Sequence, residues 1–298
     1  MRHLDLRHPF TIADAEAAGL SRHRLTSKAF RPLYAGCFVD ASVEITREVW
    51  LDAALAISPP DAFLVLETAA RQWGATVPDT STIHLGTFTS RRLRRPGLVL
   101  HRYSKPIPLL RRNNRRLTTP AQTFAMNAAK LDLVDAVVLG DSLVRLGLIE
   151  VPELQQRCGP SRNARRAARL VSDRVDSAME TRARLLLVLA GLPEPIVNLE
   201  VTDARGRPRR LDLAYPEWKV AIEYDGRHHI QREEQWQADL ARREDLEGIG
   251  WRFVVVVAPD IYATPDRTIR RVSDAVAAAG GPAYPISPEW KRHFPVRA

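Results

Sequence analysis

Residues 212–229 read DLAYPEWKVAIEYDGRHH. Val220, Ile222 and Tyr224 alternate with Ala221, Glu223 and Asp225, the period-two pattern of a half-buried strand. Successive strand side chains point to opposite faces, so Glu223 and Asp225 share one. Residues 210–214 pair back across a loop at 215–218. That pairing sets Asp212 opposite Ala221, on the same face as Glu223 and diagonal to it. Diagonal neighbours lie roughly 7–8 Å apart at Cα, within reach of long side chains. Carboxylates held this close repel one another unless a cation sits among them. Asp212, Glu223 and Asp225, followed by His228 and His229, therefore outline a divalent metal site, with ordinary solvated carboxylates at a strand end as the plainer reading.

The flanking residues supply an α/β frame. Thr181 to Ala190 is a helix stopped by Gly191, with Pro193 beyond it. Ile196 to Thr202 reads as a strand, followed by a turn at 203–206. Gln231 to Glu247 is a charged amphipathic helix. Trp251 to Ala258 is a strand buried on both faces, and Pro265 to Ala279 is a closing helix.

The run from Glu180 to Trp251 resembles the very-short-patch-repair-like endonuclease domain, an actinobacterial branch of the PD-(D/E)XK restriction-endonuclease-like superfamily. The matching residues are Glu180 in SAMETRARLLL, GLPEP at 191–195, Asp212 in RRLDLAYPE, and Glu223-Tyr224-Asp225-Gly226 with His229. Asp239 and Arg242 in DLARRE follow, then Gly250-Trp251. The resemblance covers about the last 130 residues of the 298. It implies a mixed sheet flanked by helices and metal-dependent phosphodiester hydrolysis.

One departure stands out. The superfamily's acidic-x-Lys tripeptide is here Glu223-Tyr224-Asp225, with Asp in place of lysine. Lys219 begins the same strand, but four residues at about 3.3 Å each put it some 13 Å away. In the chemistry the resemblance implies, Mg²⁺ (or Mn²⁺) is held by Asp212 and Glu223, with Asp225 as a third ligand or a holder of metal-bound water. His229 is the candidate general acid or base, because imidazole titrates near neutrality.

Glu180 has two readings. Ser177 and Glu180 form a capping box, which explains the residue by itself. The resemblance adds a place beside the metal, so Glu180 joins the candidate catalytic set. Asp239 and Arg242 read as a surface ion pair, or Arg242 as a phosphate ligand.

A chain of 298 residues has room for two or three domains, and its 45% apolar content is ordinary for a globular protein. No apolar run approaches the length of a membrane span, and the first ten residues hold no signal-peptide core. Cys37 and Cys158 are isolated, so neither a disulfide framework nor a cysteine metal site is expected. A cytoplasmic location without membrane association is the default. Net charge is +9, and only five of the 44 basic residues are lysine. Arginines cluster at Arg91–Arg95, Arg111–Arg116, Arg162–Arg169 and Arg205–Arg210. Any one cluster reads as a solvated face; together they point to a polyanionic partner, DNA before others.

Residues 10–40 read FTIADAEAAGLSRHRLTSKAFRPLYAGCFVD. Thr11 caps a short helix through Ala18, Gly19-Leu20-Ser21 makes a tight turn, and Arg22 to Ser27 forms a second helix capped by Ser21. Leu33 to Val39 then forms a β-wing. Ser21, Arg22, His23 and Arg24 are the residues such a helix-turn-helix would present to DNA. A small helical hairpin is the alternative. This segment resembles the winged helix of AbiEi-family antitoxins, and residues 45–158 resemble the second domain of those proteins. In that region helices are expected at 45–57, 62–73, 120–130 and 133–146, and strands at 82–88 and 98–102.

The expected organisation is an α+β chain: winged helix at 1–44, α+β region at 45–158, basic linker or helix at 159–177, and nuclease-like domain at 178–298. Two functions follow. One is a metal-dependent DNA endonuclease of defence or repair, targeted by the winged helix. The other is a DNA-binding regulator or antitoxin-like protein with an inactive nuclease fold. A toxin or a repair protein is the expected partner in each setting.

Overall fold

The computed structural model describes residues 4–226 and 241–295. The chain is α+β and divides into two compact units after Asn127. No helix among the described residues is long and apolar enough to cross a membrane.

The first unit begins with β1 (Phe10–Thr11), α1 (Ile12–Ala17), α2 (Arg22–Leu25), β2 (Phe30–Tyr34) and β3 (Cys37–Asp40). The Asp14 amide donates to the Thr11 hydroxyl at 3.2 Å, and the Thr11 amide donates to the Asp14 carboxylate at 2.8 Å. This reciprocal closure fixes the start of α1. Ser21 caps α2 by accepting the Arg24 amide. The strands β2 and β3 form an antiparallel hairpin, and β3 also pairs with β1. Phe10, Ala15, Leu25 and Phe30 make the small core, with Phe10 edge-on to Phe30 at 5.6 Å. The caps, the turn and the hairpin thus stand where the sequence puts them, although α2 is a single turn.

The unit continues with α3 (Arg47–Ala56), β4 (Phe63–Leu64), α4 (Leu66–Trp73), β5 (Ile83–Thr87), β6 (Arg94–Arg95), β7 (Leu98–Arg102), β8 (Leu109–Arg112), β9 (Arg115–Thr118) and α5 (Pro120–Ala128). Its six strands run in the order β6-β7-β5-β4-β9-β8. Besides the two-residue strand β6, which lies where the sequence reads as a basic loop, two features differ from expectation. The helix expected from residue 62 starts only at Leu66, because Phe63 and Leu64 pair with β5. The β8–β9 hairpin was not foreseen; it turns through Asn113 and Asn114, both at positive φ, as its tight turn requires.

The second unit holds α6 (Leu133–Arg145), α7 (Val151–Arg157), α8 (Arg162–Leu170), α9 (Ala178–Leu189), β10 (Ile196–Thr202), β11 (Pro208–Tyr215), β12 (Val220–Tyr224), α10 (241–247), β13 (Arg252–Val256), α11 (Ala258–Tyr262) and α12 (Pro265–Ala278). The basic segment at 159–177 contains α8, whose Ala164, Ala167 and Ala168 are buried and which packs on α6. Residues 128–177 thereby belong to the same unit as the sheet that follows them. Arg184, 1% exposed on α9, joins the two segments. It donates to Glu194 and to the Leu170 carbonyl and lies 3.6 Å from the Asp141 carboxylate of α6.

The sheet order is β10-β11-β12-β13, with β12 and β13 parallel and the other pairs antiparallel. β12 is a central strand, which corrects its reading as half-buried. Val220, Ala221 and Ile222 are all at most 1% exposed, so both faces are covered. Ala214 and Ala221 pack with Leu246 of α10 and Trp251, while α9 and α12 also pack against β12. The alternation misled because alanine filled the ostensibly polar position. Gly191, at φ +90°, ends α9 as expected; an added Cβ would sit 3.1 Å from the Pro285 carbonyl.

Candidate active site

The β11–β12 ladder fixes the site. Leu213 pairs with Ile222, Ala214 with Ala221 and Tyr215 with Val220, joined through the one-turn helix Pro216–Trp218 and Lys219 at φ +48°. Ala214, not Asp212, therefore lies opposite Ala221. The expected register is displaced by two residues, and that preserves the face while bringing Asp212 level with Glu223. The Asp212 Oδ2 then accepts the Tyr224 amide at 3.0 Å, replacing the next ladder bond. The Asp225 amide continues the neighbouring ladder to Val256 at 2.8 Å. Asp212, Glu223, Asp225 and Gly226, with Tyr224, Val255, Arg242 and Arg243, line a pocket of about 210 Å³.

Burial dominates the electrostatics. It raises the Glu223 carboxyl; the Arg242 guanidinium counters it, and the Asp212 charge adds to it. Burial likewise raises Asp212 against the Tyr224 amide and the Arg242 and Arg210 charges. Glu180, 8% exposed, is raised by burial and further by Asp212. Asp212 thus acts on both Glu223 and Glu180 in a partly dehydrated place. Ser177 caps α9 by accepting the Glu180 amide at 3.2 Å, as expected, but Glu180 returns its Oε2 to the amide of Asp176 rather than Ser177.

Arg242 takes a role the sequence did not indicate. It donates to Glu223 Oε1 at 2.5 Å and to the Arg210 carbonyl at 3.1 Å. Arg210 in turn pairs with Asp176 at 2.7 Å, so Asp176 and Arg210 are site neighbours that spacing alone could not reveal. Lys219 donates to the Ile249 carbonyl at 2.8 Å, which removes it as a substitute for the absent lysine. His228, His229 and Asp239 lie outside the described residues.

The oxygen donors of Asp212, Glu223 and Asp225 suit a hard cation such as Mg²⁺ or Mn²⁺. The need of two raised carboxyls for positive charge is the observation that fits it. Arg242 supplies part of that charge, and among the described residues no group of three His, Cys, Asp or Glu is placed to hold a metal ion.

The other candidates are placed as follows. Ser21, Arg22, His23 and Arg24 are all exposed; the Ser21 hydroxyl serves as a cap, and Arg22 pairs with Glu16 at 2.7 Å. Much of the arginine cluster at 205–210 is internally engaged. Asp203 accepts from the Arg207 and Arg209 guanidinium groups at 3.0 and 2.8 Å, and Arg205 and Arg207 pair with Asp245 of α10.

No known protein-family profile matches the chain. It is 28% identical over 218 residues to uncharacterized proteins from two strains of Mycobacterium tuberculosis, an alignment covering 71% of this chain and 80% of each relative.

Proposed function

We propose that the second unit is a metal-dependent DNA endonuclease of the restriction-endonuclease-like kind and that the first unit provides DNA contact. The observation that supports this reading best is the pairing of Asp212 and Glu223, level on adjacent strands and both raised by burial, over a pocket shared with Asp225. Asp212 and Glu223 would hold Mg²⁺ or Mn²⁺, with Asp225 holding metal-bound water rather than serving as a third direct ligand. When bound, the ion would supply charge neutralisation at a phosphodiester and acidify water. Arg242 and Arg243 border the same pocket, and a guanidinium there suits a phosphate oxygen. Glu180 acts through Asp212, raising the demand for a cation. His229 is the proposed proton-transfer group. Defence or repair is the proposed setting, with a toxin or repair protein as partner.

The ion pair of Arg242 with Glu223 favours a second reading, a DNA-binding regulator or antitoxin-like protein with an inactive nuclease fold. There the guanidinium permanently supplies the charge a metal would bring. Calorimetric titration with Mn²⁺ separates the two. The enzyme takes up the ion and loses that uptake with Asp212→Asn; uptake absent from the wild-type protein sinks the nuclease reading.

A further inference from the structure

The chain's positive charge is concentrated in one place. Between Thr80 and Asn127 lie ten of the 44 basic residues and none of the 35 acidic ones. The remainder of the chain carries 34 basic against 35 acidic residues, so the entire +9 excess resides in these 48 positions. The first 44 residues, which include the helix-turn-helix elements, carry six basic and five acidic residues. The chain's excess positive charge therefore lies on strands β5 to β9 and their loops, not on α1 and α2.

The structure shows which of these cations remain available. Arg115 pairs with Glu48 and Asp52, and Arg116 donates to the Pro60 carbonyl. Arg112 lies over the Trp73 ring. In contrast Arg91, Arg92, Arg94 and Arg111 are exposed, and none pairs with a carboxylate among the described residues. Arg94 and Arg111 stand on opposite edge strands yet share a face. Arg94 is level with Val99, and Val99 with His84. Leu110 is level with Leu117, Leu117 with Leu64, and Leu64 with Leu85. Adjacent residues of a strand face opposite ways, so Arg111 returns to the side of His84 and Arg94. Five strand spacings separate β6 from β8, about 24 Å, comparable to about seven phosphate steps along one DNA strand.

We propose that the arginine-bearing edges of this face of the six-stranded sheet, on either side of a centre closed by buried Phe63, form the chain's principal nucleic-acid contact, binding the phosphate backbone without reading sequence. It provides point contacts to phosphate at both edges, and Arg91 and Arg92 extend it through the loop before β6. The helix-turn-helix then contributes position rather than most of the affinity. This proposal rests on the nucleic-acid part of the reading above and not on cutting, so a protein that binds but never cleaves still satisfies it.

The test is fluorescence anisotropy of a short mixed-sequence DNA duplex titrated with the full chain in EDTA, across a series of salt concentrations. Replacing Arg91, Arg92, Arg94 and Arg111 together by alanine is expected to weaken binding and flatten the log K against log salt slope by about 3 to 4. The same four positions as lysine keep the charge and are expected to keep the wild-type slope. Arg22→Ala with Arg24→Ala is expected to leave the slope within about one of wild type. A wild-type slope in the alanine variant, a collapsed slope in the lysine variant, a larger loss from the Arg22 and Arg24 changes, or no duplex binding by the wild-type chain would each overturn the proposal.

Discussion

Arg242 of α10 and Glu223 of β12, nineteen residues apart, meet at 2.5 Å, and the guanidinium also holds the Arg210 carbonyl. The contact counters the burial that raises a carboxyl only 13% exposed. It also defines what a metal would have to replace or share.

Arg242→Ala removes the main positive charge at Glu223 and leaves a largely buried carboxylate without it. A loss of about 1–3 kcal/mol is expected from urea unfolding, as for other buried groups stripped of a charged partner. Repeating the change in a Glu223→Gln background checks the cause. The loss should shrink there, and an equal loss in both backgrounds would assign the effect to the Arg210 carbonyl instead.

Arg184 holds α9 to the helices before it through its ion pair with Asp141 of α6 and its bond to the Leu170 carbonyl of α8. Arg184→Met leaves Asp141, buried at 3% exposure, without its cation, and about 3–5 kcal/mol of destabilisation is expected. Thermal and denaturant unfolding of the variant read this directly; a near-neutral result would show that Thr181 and the Ser172 amide suffice for Asp141.

Asp141 also gives stability a pH dependence of unusual sign. Burial pushes its carboxyl up to about 6, with Arg184 and the Ser172 amide acting in the other direction. The native state therefore holds a proton that the unfolded chain has already released above its ordinary pKa of about 3.9. The contribution of this group is fullest below that value and is lost as pH rises through about 6. Relative to Asp141→Asn, the wild-type protein should lose about 2 kcal/mol between pH 4 and pH 7. A difference that stays flat over this interval contradicts the assignment.

Asp203 behaves in the opposite sense. Burial disfavours its charge, yet the Arg207 amide, the Arg209 guanidinium and the Arg205 amide together bring its carboxyl down to about 2. Its contribution is present above the unfolded value and is lost as pH falls through about 2. Asp203→Asn should lower the unfolding temperature at pH 7, loosening the β10–β11 turn and its tie to Asp245. The gap from wild type should close on acidification, and a gap that persists would mean a packing role.

What could be read from the sequence was what is local. Thr11, Ser21 and Ser177 announce helix starts because a cap needs only three or four neighbouring residues. The strand Ile196–Thr202 stands between clear stop and turn signals and emerged with those bounds. The hairpin at β8 and β9 was hidden because arginines fill both strands, leaving the Asn113-Asn114 turn as its one mark. At the candidate site, Asp212, Glu223 and Asp225 line one pocket, but the register was displaced because Tyr215 stays in β11 and Lys219, at positive φ, closes the turn, so the four-residue loop sits one position further along the chain. The Arg242 bond to Glu223 and the Asp141 pairing with Arg184 join distant segments, so no periodicity could announce them.

The most direct test is cleavage of supercoiled plasmid with Mg²⁺ or Mn²⁺ by the wild-type protein, Asp212→Ala and Glu223→Ala. Nicking or linearisation that requires the metal and disappears in both variants is the predicted result. A wild-type protein that binds the plasmid but leaves it intact with either ion, or variants that cut as well as wild type, would contradict a nuclease built on Asp212 and Glu223.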